Sequence, residues 1–297
     1  MGMITGLTLL VAVAGAGAPV QPVAALPAPA SIRSARRWLS TRRGVNSMAV
    51  LDTRGRVHGL AAGRPYVSAS VVKAMLLVAS LRAAGNRRPT PSERALLEPM
   101  IRWSDNDRAD AVYARVGDRG LSVVAKRAGM RAFTVAGYWA SATITARDQA
   151  VFFRRTFRMV PARARPFARR VLSSVVPAQR WGFARAARAN GFTTYFKGGW
   201  RSTARGRLVH EAAFFERGAK RRFSMAVLTD GNPSHEYGTA TLRGVARRVF
   251  RPPGRAAGGH GRFSVEACRG EWWPVERDLG GSRAFDLTLG CPGLNPR

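Results

Sequence analysis

Between Ser68 and Arg82 the chain reads SASVVKAMLLVASLR, and from Val71 to Leu81 almost every residue is apolar. A helix that is hydrophobic around its whole circumference has no face to give to water, so it must lie at the centre of a fold. With 297 residues and 46% hydrophobic content, the chain has enough material to enclose it, as one large domain or two modest ones. One residue resists burial. Lys73 lies inside the apolar run, with Ser70 three residues earlier on the same helical face. An ammonium taken out of water without a partner is costly. A lysine whose pKa is lowered by burial can, however, take the proton of a serine hydroxyl, which is a poor nucleophile without a base.

The rest of the chain arranges itself around that helix. VNSMAVLDTRGRVHGL reads as a strand, a turn at Thr53 to Arg56 and a second strand. From Pro89 to Gly129 the pattern is helical, with a start at Pro91-Ser92-Glu93 and two later segments that end at Gly117 and Gly129. Thr145 followed by Asp148 opens another helix, and a further helical piece covers 162–176. TTYFKGGW, VHEAAFFERG and RFSMAVLTDG then read as three successive strands, and GTATLRGVARRVF as a closing amphipathic helix. Two early and three late strands predict an α/β (α+β) fold: one five-stranded antiparallel sheet flanked by helices, with the middle helices as an all-helical lobe and a cleft between the two.

The ends are of different character. Residues 1–30 read as a signal peptide, with an apolar core from Leu7 to Val13 and a small-residue cleavage point at Ala28-Pro29-Ala30, although no Lys or Arg precedes the core. The globular domain is expected over 38–250, and 251–297, opening RPPGRAAGGHGR, as a linker and C-terminal extension. In an exported chain Cys268 and Cys291 read as a disulfide tying down that tail, with two unpaired buried thiols as the alternative. The isolated histidines have no metal-ligand spacing, so neither a metal nor an organic cofactor is implied.

Net charge is +32, and of 49 basic residues only Lys73, Lys126, Lys197 and Lys220 are lysines. There is no long basic run, zinc-finger spacing or RNP-like aromatic motif, so specific nucleic-acid binding is not expected. A solvated arginine-rich surface with nonspecific attraction to anionic polymers is the simpler reading.

Two further motifs join Ser70 and Lys73. Ser104-Asp105-Asn106 lies between helical segments, and Lys197-Gly198-Gly199 lies in the first late strand, where glycine allows close backbone approach. S-x-x-K, S-D-N and K-[TS]-G in that order are the signature of class A β-lactamases and penicillin-binding proteins. Over Val45 to Phe250 the chain resembles the serine β-lactamase and D-Ala-D-Ala peptidase superfamily, and most of all class A β-lactamase-like serine hydrolases of actinobacterial type. MAVLDTRGRVHGL resembles the family's opening hairpin, TITARDQAVFF its T-x-x-D helix and VVPAQRWGFA the segment before its K-[TS]-G strand. The resemblance implies a β-lactamase/transpeptidase-like fold with Ser70 as the acylated nucleophile and Lys73 as its base. Ser104 would deliver a proton to the leaving nitrogen, Lys197 would sustain the field and orient Ser104, and Asn106 would bind the substrate amide. The backbone N–H groups of Ser70 and Trp200 would form the oxyanion hole, with Gly198 and Gly199 beside the substrate.

Two departures qualify it. Gly198 replaces the Thr or Ser hydroxyl that grips a substrate carboxylate, with Arg201, Ser202 and Thr203 as the nearest replacements. The stretch before the T-x-x-D helix, MRAFTVAGYWASATI, contains no Glu or Asp, so the usual base for deacylation is missing. The expected activity is an exported, monomeric serine hydrolase acting on a small β-lactam or a related amide or ester, with slow release of the acyl group. A penicillin-binding D-Ala-D-Ala peptidase acting on peptidoglycan-derived substrate is the alternative, as is an inactive member that binds cell wall or polyanions.

Overall fold

The computed structural model describes residues 26–219, 221–251, 272–279 and 282–289. Residues 252–297 form a unit of their own, in which β8 (Trp272–Leu279) and β9 (Ser282–Leu289) pair antiparallel. Cys268, Cys291 and residues 1–25 lie outside the described residues.

The opening hairpin forms as expected from β1 (Val45–Leu51) and β2 (Val57–Leu60). Its turn is fixed by the Asp52 carboxylate, which accepts from the backbone N–H of Arg54 and Arg56 at 2.9 Å each. A helix absent from the sequence reading, α1 (Pro29–Ser40), comes before it. The expected cleavage point falls on the first turn of α1, and the fold begins ahead of residue 38: Leu26 and Thr53 already exchange hydrogen bonds.

After β3 (Pro65–Val67) the chain makes a 3-10 turn over Ala69–Val72 and runs into α2 (Lys73–Ala83). Ser70 therefore sits on a tight turn at the head of the apolar helix and not within it. Lys73, Ala74, Met75, Leu76, Leu77, Val78, Ala79 and Leu81 are all buried, as an all-round apolar helix requires. The helical lobe around α2 comprises α3 (Pro91–Arg102), α4 (Asn106–Ala128) and α6 (Arg165–Ser173). Thr90 and Glu93 close a capping box at the head of α3. Gly117, with φ 56°, breaks α4 into the two expected segments, and Gly129, with φ 74°, ends it.

β4 (Thr143–Thr145) pairs with β3, and Thr145 then caps α5 (Ala146–Met159) by accepting from Asp148 N. A short α7 (Ala184–Ala189) leads to β5 (Thr193–Thr203), β6 (Gly206–Arg217) and β7 (Arg221–Asn232), followed by α8 (His235–Val249). The antiparallel sheet has the order β2-β1-β7-β6-β5. α5 packs on β1, β6 and β7, while α8 packs on β6, β7 and α1. β5, at the edge of the sheet, lies against the turn that carries Ser70. Among the described residues no helix is long and apolar enough to cross a membrane.

One buried histidine ties the sheet to the strand before that turn. His210 Nδ1 accepts from Thr229 N at 3.1 Å, so the other ring nitrogen carries the proton and donates to the Val67 carbonyl at 3.1 Å. Burial lowers the His210 pKa to about 4, against the opposing pull of the Val209 and Val67 backbone and of Asp230. The unfolded chain protonates this imidazole below pH 6.5 and the folded protein does not until about pH 4. His210 thus withdraws stability as pH falls through that window, by about 3 kcal/mol in all. Denaturant unfolding of wild type and His210→Gln between pH 4 and 7 tests this. The wild-type stability should fall more steeply with acid than the variant's, and parallel curves would contradict it.

Candidate active site

The three motifs converge where β5, the head of α2 and the loop before α4 meet. Asp105 caps α4 by accepting from Arg108 N at 3.0 Å, which fixes the loop on its other side, and Ser104 adopts φ 62°. A non-glycine residue in that region is held there by its surroundings. Here the surroundings are two lysines, both fully buried. Lys73 Nζ donates to the Ser104 carbonyl at 2.5 Å, to Asn106 Oδ1 at 2.7 Å and to Ser104 Oγ at 3.4 Å. Lys197 Nζ donates to Ser104 Oγ at 3.1 Å and to the Gly198 carbonyl at 2.9 Å. One hydroxyl is therefore shared by two amines from distant parts of the chain.

Lys73 faces three acceptors, the complement of an ammonium, and Lys197 faces two. Burial lowers the Lys73 pKa to about 8, opposed by the charges of Asp105 and Asp110. Burial, with the Lys73 charge adding to it, pushes Lys197 well below the ordinary lysine value, against the attraction of Glu211. Lys197 is thus a hydrogen-bond donor to Ser104, and the standing positive charge expected of it is disfavoured.

Ser70 is half-buried, and among the described residues its hydroxyl has no hydrogen-bond partner. The residue before it, Ala69, has φ 45°. Gly199 lies directly against this turn: a Cβ there would come within 3.0 Å of the Ser70 and Val71 backbone nitrogens. That close approach explains why glycine follows Gly198. Trp200 comes next on β5, half-buried.

The missing hydroxyl at position 198 has a local cause. A Cβ on Gly198 would lie 3.0 Å from the Trp181 ring, which forms an edge-on cluster with Trp200 and His235 at centroid distances of 6.1 and 5.6 Å. The acid-free stretch 130–144 also has a definite role. Asp148 pins its start by accepting from Arg131 and Ala132 N, and the Ser68 hydroxyl donates to the carbonyls of Trp139 and Ala140. Trp139 is buried with its ring centroid 4.7 Å from Lys73 Nζ, and its indole N–H donates to Asp110 at 2.6 Å. An aromatic ring of this acid-free stretch thus covers Lys73.

Three residues of this region escaped sequence reasoning: Trp139, Trp181 and Glu211. Glu211 is fully buried opposite Gly198 on β6, accepts from Phe183 N at 3.0 Å, and has its carboxyl pKa raised by burial to about 8. A lone acid in the middle of the apolar strand VHEAAFFERG was the available signal. Among the described residues, no group of three or more His, Cys, Asp or Glu side chains is placed to hold a metal ion.

A five-stranded antiparallel sheet backed by helices, and a helical lobe with serine and lysine side chains at their junction, define a fold of the β-lactamase kind. The profile of the beta-lactamase enzyme family matches residues 88–251, and the chain belongs to that family. The match includes Ser104, Asn106 and Lys197 and begins beyond Ser70 and Lys73. Among solved structures the chain is similar to a β-lactamase from Sphaerobacter thermophilus DSM 20745, with a TM-score of 0.62 and 17% identity over 73% of this chain and 95% of that one. It is also similar to a class A β-lactamase from Mycobacterium abscessus, with a TM-score of 0.60 and 18% identity over 74% of this chain and 97% of that one. A β-lactamase from Chitinophaga pinensis DSM 2588 gives 0.62 at 12% identity, over 74% and 98%. No curated protein matches the sequence significantly.

The packing of Trp181 on Gly198 is directly testable. Gly198→Thr should destabilise the fold by about 1–3 kcal/mol through overpacking, and the loss should shrink in a Trp181→Ala background. Equal losses in both backgrounds, read from denaturant unfolding, would remove the ring from the explanation.

Proposed function

We propose that the protein is an exported serine hydrolase that is acylated on Ser70 by a β-lactam or a related amide or ester, and that it releases the acyl group slowly. The observation that carries this reading is the Ser104 hydroxyl held between Lys73 and Lys197 beside the Ser70 turn. Lys73 rests as an ammonium; once deprotonated it has two N–H donors for three acceptors, and its lone pair is free to take the Ser70 proton. Ser70 Oγ then bonds to the substrate carbonyl carbon, and the oxyanion is received by the backbone N–H groups of Ser70 and Trp200. Collapse breaks the carbon–nitrogen bond. The departing nitrogen takes the Ser104 proton, and Ser104 is reprotonated from the Lys73 ammonium.

Slow release follows from the loop. Hydrolysis of the ester needs a base next to a water, and residues 130–144 present Trp139 where an acid would serve. The same feature favours a second reading, a D-Ala-D-Ala peptidase on cell-wall stem peptides, which shares every step up to the acyl-enzyme. The apolar N-terminal stretch supports export in both cases.

Intact-mass measurements after mixing with benzylpenicillin test the acylation step. A persistent adduct of one penicilloyl group is expected on wild type, none on Ser70→Ala, and labelling slowed at least about 100-fold on Lys73→Ala. Absence of adduct on folded wild-type protein contradicts the proposal. The labelling rate should rise with pH to a plateau above about 8, as Lys73 loses its proton. Asp110→Asn, which removes a charge that holds that proton, should move the rise to lower pH. A pH-independent rate, or a shift upward, would take the base role from Lys73.

A further inference from the structure

We propose that the acyl side of this site has an anion-binding subsite, built by Arg64 and Arg201, which selects substrates whose acyl arm ends in a carboxylate. The inference rests on the acyl-enzyme reading for its orientation. Ser104 and both lysines crowd the Lys197 end of β5, so the leaving nitrogen belongs at that end. The acyl arm must then run the other way along β5, past Gly199 and Trp200 toward Arg201–Arg205.

That direction leads into a cavity of about 850 Å3. Its walls are Arg64–Val67, the segment that runs into the Ser70 turn, and the end of β5 from Arg201. Side chains alternate along a strand, so Arg201 leaves β5 on the face that Gly199 turns to Ser70. Two residues of strand place it about 7 Å further on. A substrate held at Ser70 therefore reaches the cavity with a chain of four or five carbons.

Charge decides what the cavity takes. It is lined by three guanidinium groups, those of Arg64, Arg201 and Arg205, and by one carboxylate, that of Asp230. Asp230 is already committed: it accepts from Thr203 Oγ1 at 2.7 Å and from Gly231 N at 2.8 Å, and lies 3.7 Å from Arg205. Arg64 leans on the Tyr66 hydroxyl, and among the described residues neither Arg64 nor Arg201 has a carboxylate within ion-pair distance. Two exposed arginines thus line the cavity beside Ser202 and Thr203, whose hydroxyls are engaged by Arg207 and Asp230. Planar five-donor forks suit a carboxylate better than any neutral group. The apolar side chains of Pro65, Val67 and Leu208 suit the methylene arm that brings it there.

The test compares two 6-aminopenicillanate amides of nearly equal length, hexanoyl and adipoyl, which differ in one terminal carboxylate. The second-order acylation constant of wild type should favour adipoyl by about tenfold. Because a net charge of +32 attracts any anion, the ratio is read in two double variants. Arg64→Ala/Arg201→Ala should bring it close to one. Arg33→Ala/Arg36→Ala, which removes the same charge from α1, should leave it unchanged. Both are surface changes, and melting curves check folding. In parallel, calorimetry on Ser70→Ala compares adipoylglycine with hexanoylglycine. If neither penicillanate acylates Ser70 but adipoylglycine binds preferentially through Arg64 and Arg201, the acyl-enzyme reading fails and the subsite stands. No preference in either assay, or a preference lost equally in both double variants, overturns the subsite.

Discussion

The Ser104 hydroxyl, bridging a lysine from the head of the buried helix and a lysine from the edge strand, is the contact on which the arrangement depends. It joins the helical lobe to the sheet at a point where, among the described residues, neither lysine has a carboxylate partner in hydrogen-bond reach. Two amines are pulled from water and set on one oxygen, so each raises the cost of charging the other. The fold tolerates this because burial is shared with hydrogen bonds: Asn106 and the Ser104 carbonyl for Lys73, the Gly198 carbonyl for Lys197. The strained backbone at Ser104 belongs to the same bargain, since its carbonyl and hydroxyl are turned to meet the two lysines.

The second constraint is how closely β5 approaches the catalytic turn. Gly199 admits the Ser70 backbone, and Gly198 admits the Trp181 ring. Position 198 has no side chain where the aromatic cluster of Trp181, Trp200 and His235 lies beside the strand. On the other wall Trp139 covers Lys73. Both departures from the family pattern have the same form: an aromatic ring stands where a polar group would act on substrate or water. On the proposed mechanism, such a site would keep the means to form an ester and lack the usual means to clear it.

Much of this was legible from local signals. The β1–β2 hairpin, the caps at Glu93 and Thr145, the glycine stops at Gly117 and Gly129 and the strands around Lys197 each depend on neighbours within a few residues. The grouping of Lys73, Ser104, Asn106 and Lys197 was legible because three motifs occur in order. What failed to show was nonlocal. α1 was hidden by its small, Pro- and Ala-rich start, which reads as the tail of an export signal, and only its packing on α8 through Trp38 and Thr241 reveals its use. The turn at Ala69–Val72 looked like continuous helix because its residues are as apolar as those of α2. Trp139, Trp181 and Glu211 gain meaning only once one loop folds over Lys73 and another over Gly198 and the Glu211 carboxylate.

Only four lysines occur in the chain, so lysine ε-carbon NMR reports on the two central amines with little overlap. Protein labelled at that carbon, with Lys73→Arg and Lys197→Arg variants to assign the resonances, is titrated from pH 6 to 11. The account predicts that the Lys73 resonance moves with a midpoint near 8 and that Lys197 loses its proton well below the ordinary lysine range. Titration of both resonances near 10.5, the ordinary lysine value, would contradict it.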